Sequence, residues 1–296
     1  MIEKTPAYRI CGVGEVLWDA FPEGEKFGGA PANFTCHCHS LGAEAYVVSC
    51  IGRDDRGKTA REFLDNHGVD TSCLAESSEH ETGVVIVTLD DEGKPDYEIK
   101  EGVAWDNIPL TGAMTALAPR LDAVCFGSLC QRNSVSRGTI EKFLAATSRD
   151  CLRVFDINIR QHFYSDEIIR NSLEMSNVLK LNDEELPIVA RLVGAEGSDE
   201  EIIMAIISQF DLELVALTMG EKGALMVTPT ESSFAAPEAA NVINTVGAGD
   251  SFTASMIMGY LADKPLNGIN QSANALAAYV CTKHGAVPPL PASLTE

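Results

Sequence analysis

The stretch Asn244-Thr-Val-Gly-Ala-Gly-Asp250-Ser-Phe252 joins a glycine-rich turn to a carboxylate at the start of an apolar run. Two glycines beside an alanine let the backbone bend tightly, and a helix is expected to begin there. The first N–H groups of a helix lack acceptors of their own and sit at the positive end of its dipole. The turn can therefore hold a phosphate, with Asp250 in reach of whatever attacks it. The same residues also describe an ordinary turn whose Asp caps a helix. Upstream, Gly28-Gly-Ala-Pro-Ala-Asn33-Phe-Thr35 presents a comparable choice. Two glycines before a helix near Pro31 admit a ligand to the backbone, and Asn33 offers a polyol both a donor and an acceptor. A plain turn and helix start is the alternative.

Composition bounds the partners. At 296 residues with 45% hydrophobic and 22% charged side chains, the chain reads as one large globular domain. The formal charge of −21 opposes nucleic-acid binding but leaves a phosphorylated small molecule possible, because local N–H groups or a cation suffice for it. No apolar run approaches the ~20 residues that span a bilayer, and the first residues lack the order of a secretory signal. A cytoplasmic protein with no membrane partner is the expectation. Cys36-His-Cys-His39 resembles a metal site at first sight. On a helix, four consecutive side chains point in four directions and cannot share one ion.

The elements that must position these motifs follow from the apolar pattern. Strands are expected at 8–14, 44–51, 123–126, 152–157, 178–181 and 214–218, with helices at 31–41, 58–67, 250–261 and 269–284. Hairpins are expected at 83–100, turning at 90–93, and at 224–236. Alternating strands and helices imply a mostly parallel sheet covered on both faces, a three-layer α/β/α sandwich. In a strand, Asp156, Asn158 and Arg160 would alternate onto one side and face a cleft together. A surface ion pair is the other reading of Arg160.

Taken together, the two glycine motifs resemble those of the ribokinase-like (PfkB) carbohydrate kinases. The N-terminal pattern is matched by Gly28, Gly29, Asn33, Thr35, Gly42 and Gly52, and the C-terminal one by Asn244–Phe252. Asn182-Asp-Glu-Glu185 and Thr218-Met-Gly220-Glu-Lys-Gly223 are further family marks, in the right order over essentially the whole chain. Within the family, Gly14-Glu-Val-Leu-Trp-Asp19 and Asp156-Ile-Asn158-Ile-Arg160 look most like bacterial fructokinases.

The resemblance implies a single ribokinase-like domain over residues 1–296, with a small β-sheet lid from inserted strands around 15–27 and 83–105. It implies transfer of the ATP γ-phosphoryl group to a sugar primary hydroxyl, with D-fructose the first choice of acceptor. Asp250 would be the general base, and the N–H groups of Gly247, Ala248 and Gly249 an anion hole. Asp19, Gly29, Asn33 and Arg160 would line the sugar side, with Tyr97 and Ile99 reaching it from the lid or simply packing the hairpin. Asn182, Thr218, Gly220, Gly223 and Asn274 would line the ATP side, and Glu185 would hold Mg2+ through water. Lids in this family commonly pair, so a homodimer through the lid is expected. Asn244 stands where the family usually has Asp, in a region that helps some members hold a monovalent cation. The resemblance therefore leaves such a cation open here.

Other acceptors, namely 2-keto-3-deoxygluconate, ribose or a nucleoside, stay within the same class. A non-catalytic sugar- and ATP-binding regulator would keep the fold, but Asp250 and the Gly-Ala-Gly turn are intact. A nicotinamide-dependent oxidoreductase would suit the β/α alternation. Gly12-Val-Gly14-Glu-Val-Leu17 breaks its glycine fingerprint at the third position. No Gly-x4-Gly-Lys-Ser/Thr loop is present either.

Overall fold

Runs of apolar residues between turn signals pair side by side in the computed structural model, which describes residues 8–22, 24–89, 95–237 and 240–295. The expected hairpin turn at 90–93 lies outside the described residues. The first half of the chain contributes β1 (Arg9–Val13), β2 (Leu17–Phe21), β3 (Gly24–Gly28), β4 (Glu44–Gly52), β5 (Leu74–Ser77), β6 (Gly83–Leu89) and β7 (Pro95–Ile99). The second half contributes β8 (Ala123–Phe126), β9 (Leu152–Asp156), β10 (Val178–Asn182), β11 (Leu214–Thr218), β12 (Ala224–Val227) and β13 (Ser232–Ala235). Nine strands form one sheet in the order β13-β12-β11-β10-β9-β8-β1-β4-β5. All neighbours from β11 to β5 are parallel, and β12 and β13 close the far edge as an antiparallel hairpin.

Parallel strands covered on both faces must be apolar on both. Ile10 of β1 packs with Phe34, Phe252 and Ile257, while Cys11 and Val13 pack on the other side with Phe126 and Phe155. The first face is covered by α1 (Ala30–Ser40), α8 (Ala248–Leu261) and α9 (Leu266–Cys281). The second is covered by α4 (Ser134–Ala145), α5 (Asp166–Met175), α6 (Leu186–Val193) and α7 (Asp199–Phe210), with α3 (Gly112–Leu117) beside them. Helix α2 (Asp55–Asn66) packs through Ala60 and Leu64 on Val47 and Ile51 of β4. Among the described residues no helix is long and apolar enough to cross a membrane.

The small second sheet runs β3-β2-β6-β7. Its two hairpins, β2–β3 and β6–β7, are antiparallel and join through a parallel β2–β6 pairing. After Ile99 the chain turns into a short 3-10 segment, Ala104–Asn107, and leaves the sheet. Helix α2 starts three residues before the expected 58 because the Asp54 carboxylate accepts the Gly57 N–H at 2.7 Å and caps it. Strand β9 corrects another expectation. It ends at Asp156, and Asn158 and Gln161 take positive φ angles of 48° and 50°, so strand alternation does not extend to Arg160.

Candidate active site

From β1 the chain moves outward to β4 and β5, then returns to place β8 on the other side of β1. Reversals of this kind open a crevice at the carboxyl ends of the strands. Here that crevice holds Glu15 after β1, Gly127 and Ser128 after β8, Asp156 at the end of β9 and Asn158 just beyond it, and Asp250 of α8. Of these six, Asp250 is the one the sequence assigns to the site; Asp156 and Asn158 were expected to face a cleft through strand alternation.

Asp250 lies in the first turn of α8. Gly247, the residue before that helix, has φ 80°, and a Cβ on it would collide with the Ala286 carbonyl. Only glycine meets both constraints. The Ser251 N–H returns to Gly247 O at 2.9 Å, and the Ala248 N–H to Thr245 O at 3.3 Å. Asn33 Nδ2 donates to Asp250 Oδ2 at 2.9 Å, which links α1 to α8. Asn33 is 3% exposed, and its Oδ1 has no partner among the described residues. Burial pushes the Asp250 carboxyl up to about 6; the Asn33 bond pulls it down, Asp156 pushes it up, and Lys180 and Arg160 pull it down.

Lys180, an ammonium in the otherwise apolar strand β10, sits beneath this turn. It pairs with Asp156 Oδ1 at 3.1 Å, and Thr253 Oγ1 of α8 donates to Asp156 Oδ2 at 3.0 Å. A Cβ on Gly249 would stand 3.1 Å from Lys180 Nζ. A buried cation thus adjoins the proposed phosphate turn, held by β9 and locked to α8. Lys180 and Glu15 were not among the residues expected at the site. The available signal was a charge inside an apolar run, Val178-Leu-Lys180-Leu, and one directly after the first strand.

On the acceptor side, Gly29 has φ 110° and a Cβ there would meet the Glu15 carbonyl. Asp19 of β2 approaches Gly28, where a Cβ would lie 2.8 Å from Asp19 Oδ2. Burial pushes the Asp19 carboxyl up to about 6, against the pull of Arg160 and Lys26. Arg160 is exposed, and its guanidinium donates to Ile159 O at 3.1 Å. Its charge also lowers the Glu15 and Asp250 carboxyls. Ile99 is buried with Val85 and Val87, whereas Tyr97 is 46% exposed and its carbonyl accepts from Gln161 Nε2.

Toward β10 and β11, Asn182 Oδ1 accepts the Glu185 N–H at 2.9 Å while Glu185 Oε2 accepts the Asn182 N–H at 2.9 Å. Glu185 Oε1 takes the Ile159 N–H at 2.8 Å. Among the described residues no three His, Cys, Asp or Glu side chains gather into a metal cage. A carboxylate with a neighbouring amide is the kind of oxygen set that suits a hard cation held through water. Thr218 ends β11, with Oγ1 donating to Leu181 O at 3.3 Å. Gly220 and Gly223 follow with φ 56° and 105°. Asn274 is buried in α9, its Nδ2 bonded to Asn270 O and Oδ1 at 2.9 Å each. Val242, Ile243 and Val246 are exposed apolar residues just before the glycine turn. Helix α1 sends Cys36 toward Val47 and Cys38 toward Ile10, and His37 Nε2 lies 2.9 Å from Ala286 O.

Comparison with known proteins agrees with this geometry. The model of the pfkB family carbohydrate kinases matches residues 14–293. The fructokinase of Vibrio alginolyticus is 27% identical over 301 residues, 96% of this chain and 96% of that one. The crystal structure of an uncharacterized sugar kinase from Pyrococcus horikoshii in complex with ATP has a TM-score of 0.81 and 26% identity, covering 94% of this chain and 93% of that one. Fructokinase from Vibrio cholerae O395, in its fructose, ADP and calcium ion bound form, has a TM-score of 0.80 and 25% identity, with 97% of each chain covered. A family match over nearly the whole chain, on a fold with these glycine turns at the sheet's crevice, makes the protein a sugar kinase that belongs to the pfkB carbohydrate kinase family.

Proposed function

We propose that this sugar kinase is a fructokinase, transferring the ATP γ-phosphoryl group to the C6 hydroxyl of D-fructose with Asp250 as general base. The observation that carries the reading is the Asn33–Asp250 pair. It fixes the carboxylate at the α8 N-terminus and leaves a buried Asn33 Oδ1 for which a polyol hydroxyl would supply the donor. Relatives named fructokinase support the choice of acceptor.

In the proposed mechanism Asp250 accepts the hydroxyl proton as the sugar oxygen attacks in line. A carboxylate is a weak base for an alcohol, but in a loose transition state the proton moves late and positioning dominates. The N–H groups of Gly247 and Gly249 would face the charge gathering on the transferred group, joined by that of Ala248 on leaving Thr245 O, with Lys180 beside Gly249. Mg2+ on the nucleotide, reached by Glu185 through water, would offset phosphate charge. The β3-β2-β6-β7 sheet acts as the lid that excludes water, and it is the surface through which a homodimer is expected to form. Asn244 donates to Lys283 O and accepts the Val246 N–H at 3.0 Å, so its amide is satisfied at both ends.

Carboxylates dominate the acceptor side: Glu15, Asp19, Asp156 and Asp250 face Arg160 and an already paired Lys180. This balance favours a neutral polyol over a sugar acid. ATP-dependent phosphorylation measured across fructose, ribose, 2-keto-3-deoxygluconate and nucleosides tests the reading. Fructose should show the highest kcat/KM, and a clear preference for another acceptor overturns it.

A further inference from the structure

Glu15 is an unexplained group. It is 3% exposed, and its Oε2 has no hydrogen-bond partner among the described residues. The backbone N–H groups of Glu15 and Ala30 favour the ionised carboxyl by hydrogen bonding. The unbonded oxygen belongs to a side chain lining the crevice that Asp156, Asn158 and Asp250 also line. Burying a carboxylate without a full set of donors is expensive, and such groups are kept where a ligand completes the set. The room beside it is small, about 10 Å³. That is roughly the space of one water, or of one hydroxyl group.

A hydroxyl has a single proton to donate. On the reading above, the attacked hydroxyl gives its proton to Asp250, so a group bonded to Glu15 must be a different one. We propose that Glu15 is a specificity-determining residue of the acceptor site, whose free carboxyl oxygen takes a hydrogen bond from one acceptor hydroxyl other than the one phosphorylated. The proposal rests on the sugar-kinase site described above and names a contact within it. Asp250 and Arg160 are the charged groups that act on the Glu15 carboxyl, with opposite signs.

The test is a double-substitution cycle between protein and acceptor, on the full chain with ATP and Mg2+. A wild-type panel first identifies the acceptor, and monodeoxy analogues of that acceptor are then compared in wild type, Glu15→Gln and Glu15→Ala. Glu15→Ala should raise KM for the acceptor about 10–100-fold, the usual size of a hydrogen bond to a charged group, with KM for ATP within about twofold. Glu15→Gln, which keeps an acceptor oxygen, should recover part of the loss. One deoxy analogue should be poor with wild type and lose nothing further in either variant, while the others lose in full. An equal loss across the series marks a structural role and overturns the proposal, as does no loss at all. If Glu15→Ala fails to fold, the Glu15→Gln cycle decides alone. An acceptor other than fructose overturns the fructose reading only, since the cycle runs on whichever acceptor the panel identifies.

Discussion

Asp250 stands between opposing influences, and their balance sets its chemistry. Burial pushes its carboxyl up to about 6, while the Asn33 amide, Lys180 and Arg160 favour the ionised form. Asp250→Asn keeps the shape and an acceptor for Asn33 but removes the base. Its kcat should fall by ~10²–10⁴ with KM for sugar near that of wild type, and a kcat within a few-fold of wild type would exclude the assignment. If Asp250 is the base it works only when ionised, so kcat/KM should decline as pH drops through about 6 and level off above it. A profile flat through that region contradicts the role. Both members of the Asn33–Asp250 pair were legible because each follows a glycine turn that opens a helix, a local signal. Lys180 and Glu15 were not. Their meaning comes from Asp156 on another strand and Asp250 on a distant helix, which local patterning does not bring together.

At the scale of elements, the α8 N-terminus is set by what lies behind it. Burial pushes the His37 imidazole down to about 4, against the pull of the Ala286 carbonyl and with a smaller push from His67. The ring is therefore neutral near pH 7, and it contacts Ala286 O, the atom that a Cβ on Gly247 would strike. Helix α1 thus buttresses the Gly247 turn through one carbonyl. Gly247→Ala should cost ~1–3 kcal/mol of stability through its positive φ and the clash. It should also lower kcat at least ~10-fold, because misplaced catalytic groups lose rate steeply. Gly138→Ala supplies the contrast: that glycine is inside α4 with open space where a Cβ would go. It should add up to ~1 kcal/mol with unchanged kcat. Thermal melts and steady-state rates on both variants check this, and a fully active Gly247→Ala would remove the turn from the mechanism. Apolar strands such as β8 and β11 were legible at their true bounds. Strand β5, Leu-Ala-Glu-Ser, was missed because it carries no apolar run, and β9 was overextended because the left-handed Asn158 leaves no sequence mark.

Over the whole molecule, the three-layer architecture could be read from β/α alternation, but the place of β1 in mid-sheet could not, since strand order is decided by crossovers rather than by composition. That topology collects carboxylates into one crevice of a chain already at −21. Burial raises the Glu15 carboxyl to about 7 from an ordinary value of 4.5, with Arg160 opposing and Asp250 reinforcing the shift. The folded chain therefore binds this proton more tightly than the unfolded chain does. Between the two values the native state holds the extra proton, so stability falls as pH rises through that window. The shift corresponds to at most ~3 kcal/mol at alkaline pH, a burden that a substrate hydroxyl would relieve. Glu15→Gln removes the charge and should melt a few degrees above wild type at about pH 8, where the penalty is fully present. The gap should shrink toward zero as pH falls to about 4.5. Melting curves for the two proteins across that range measure it directly. A variant less stable than wild type at about pH 8 would mean that Glu15 is bonded within the native fold, and would refute its reading as a carboxylate kept strained for an acceptor.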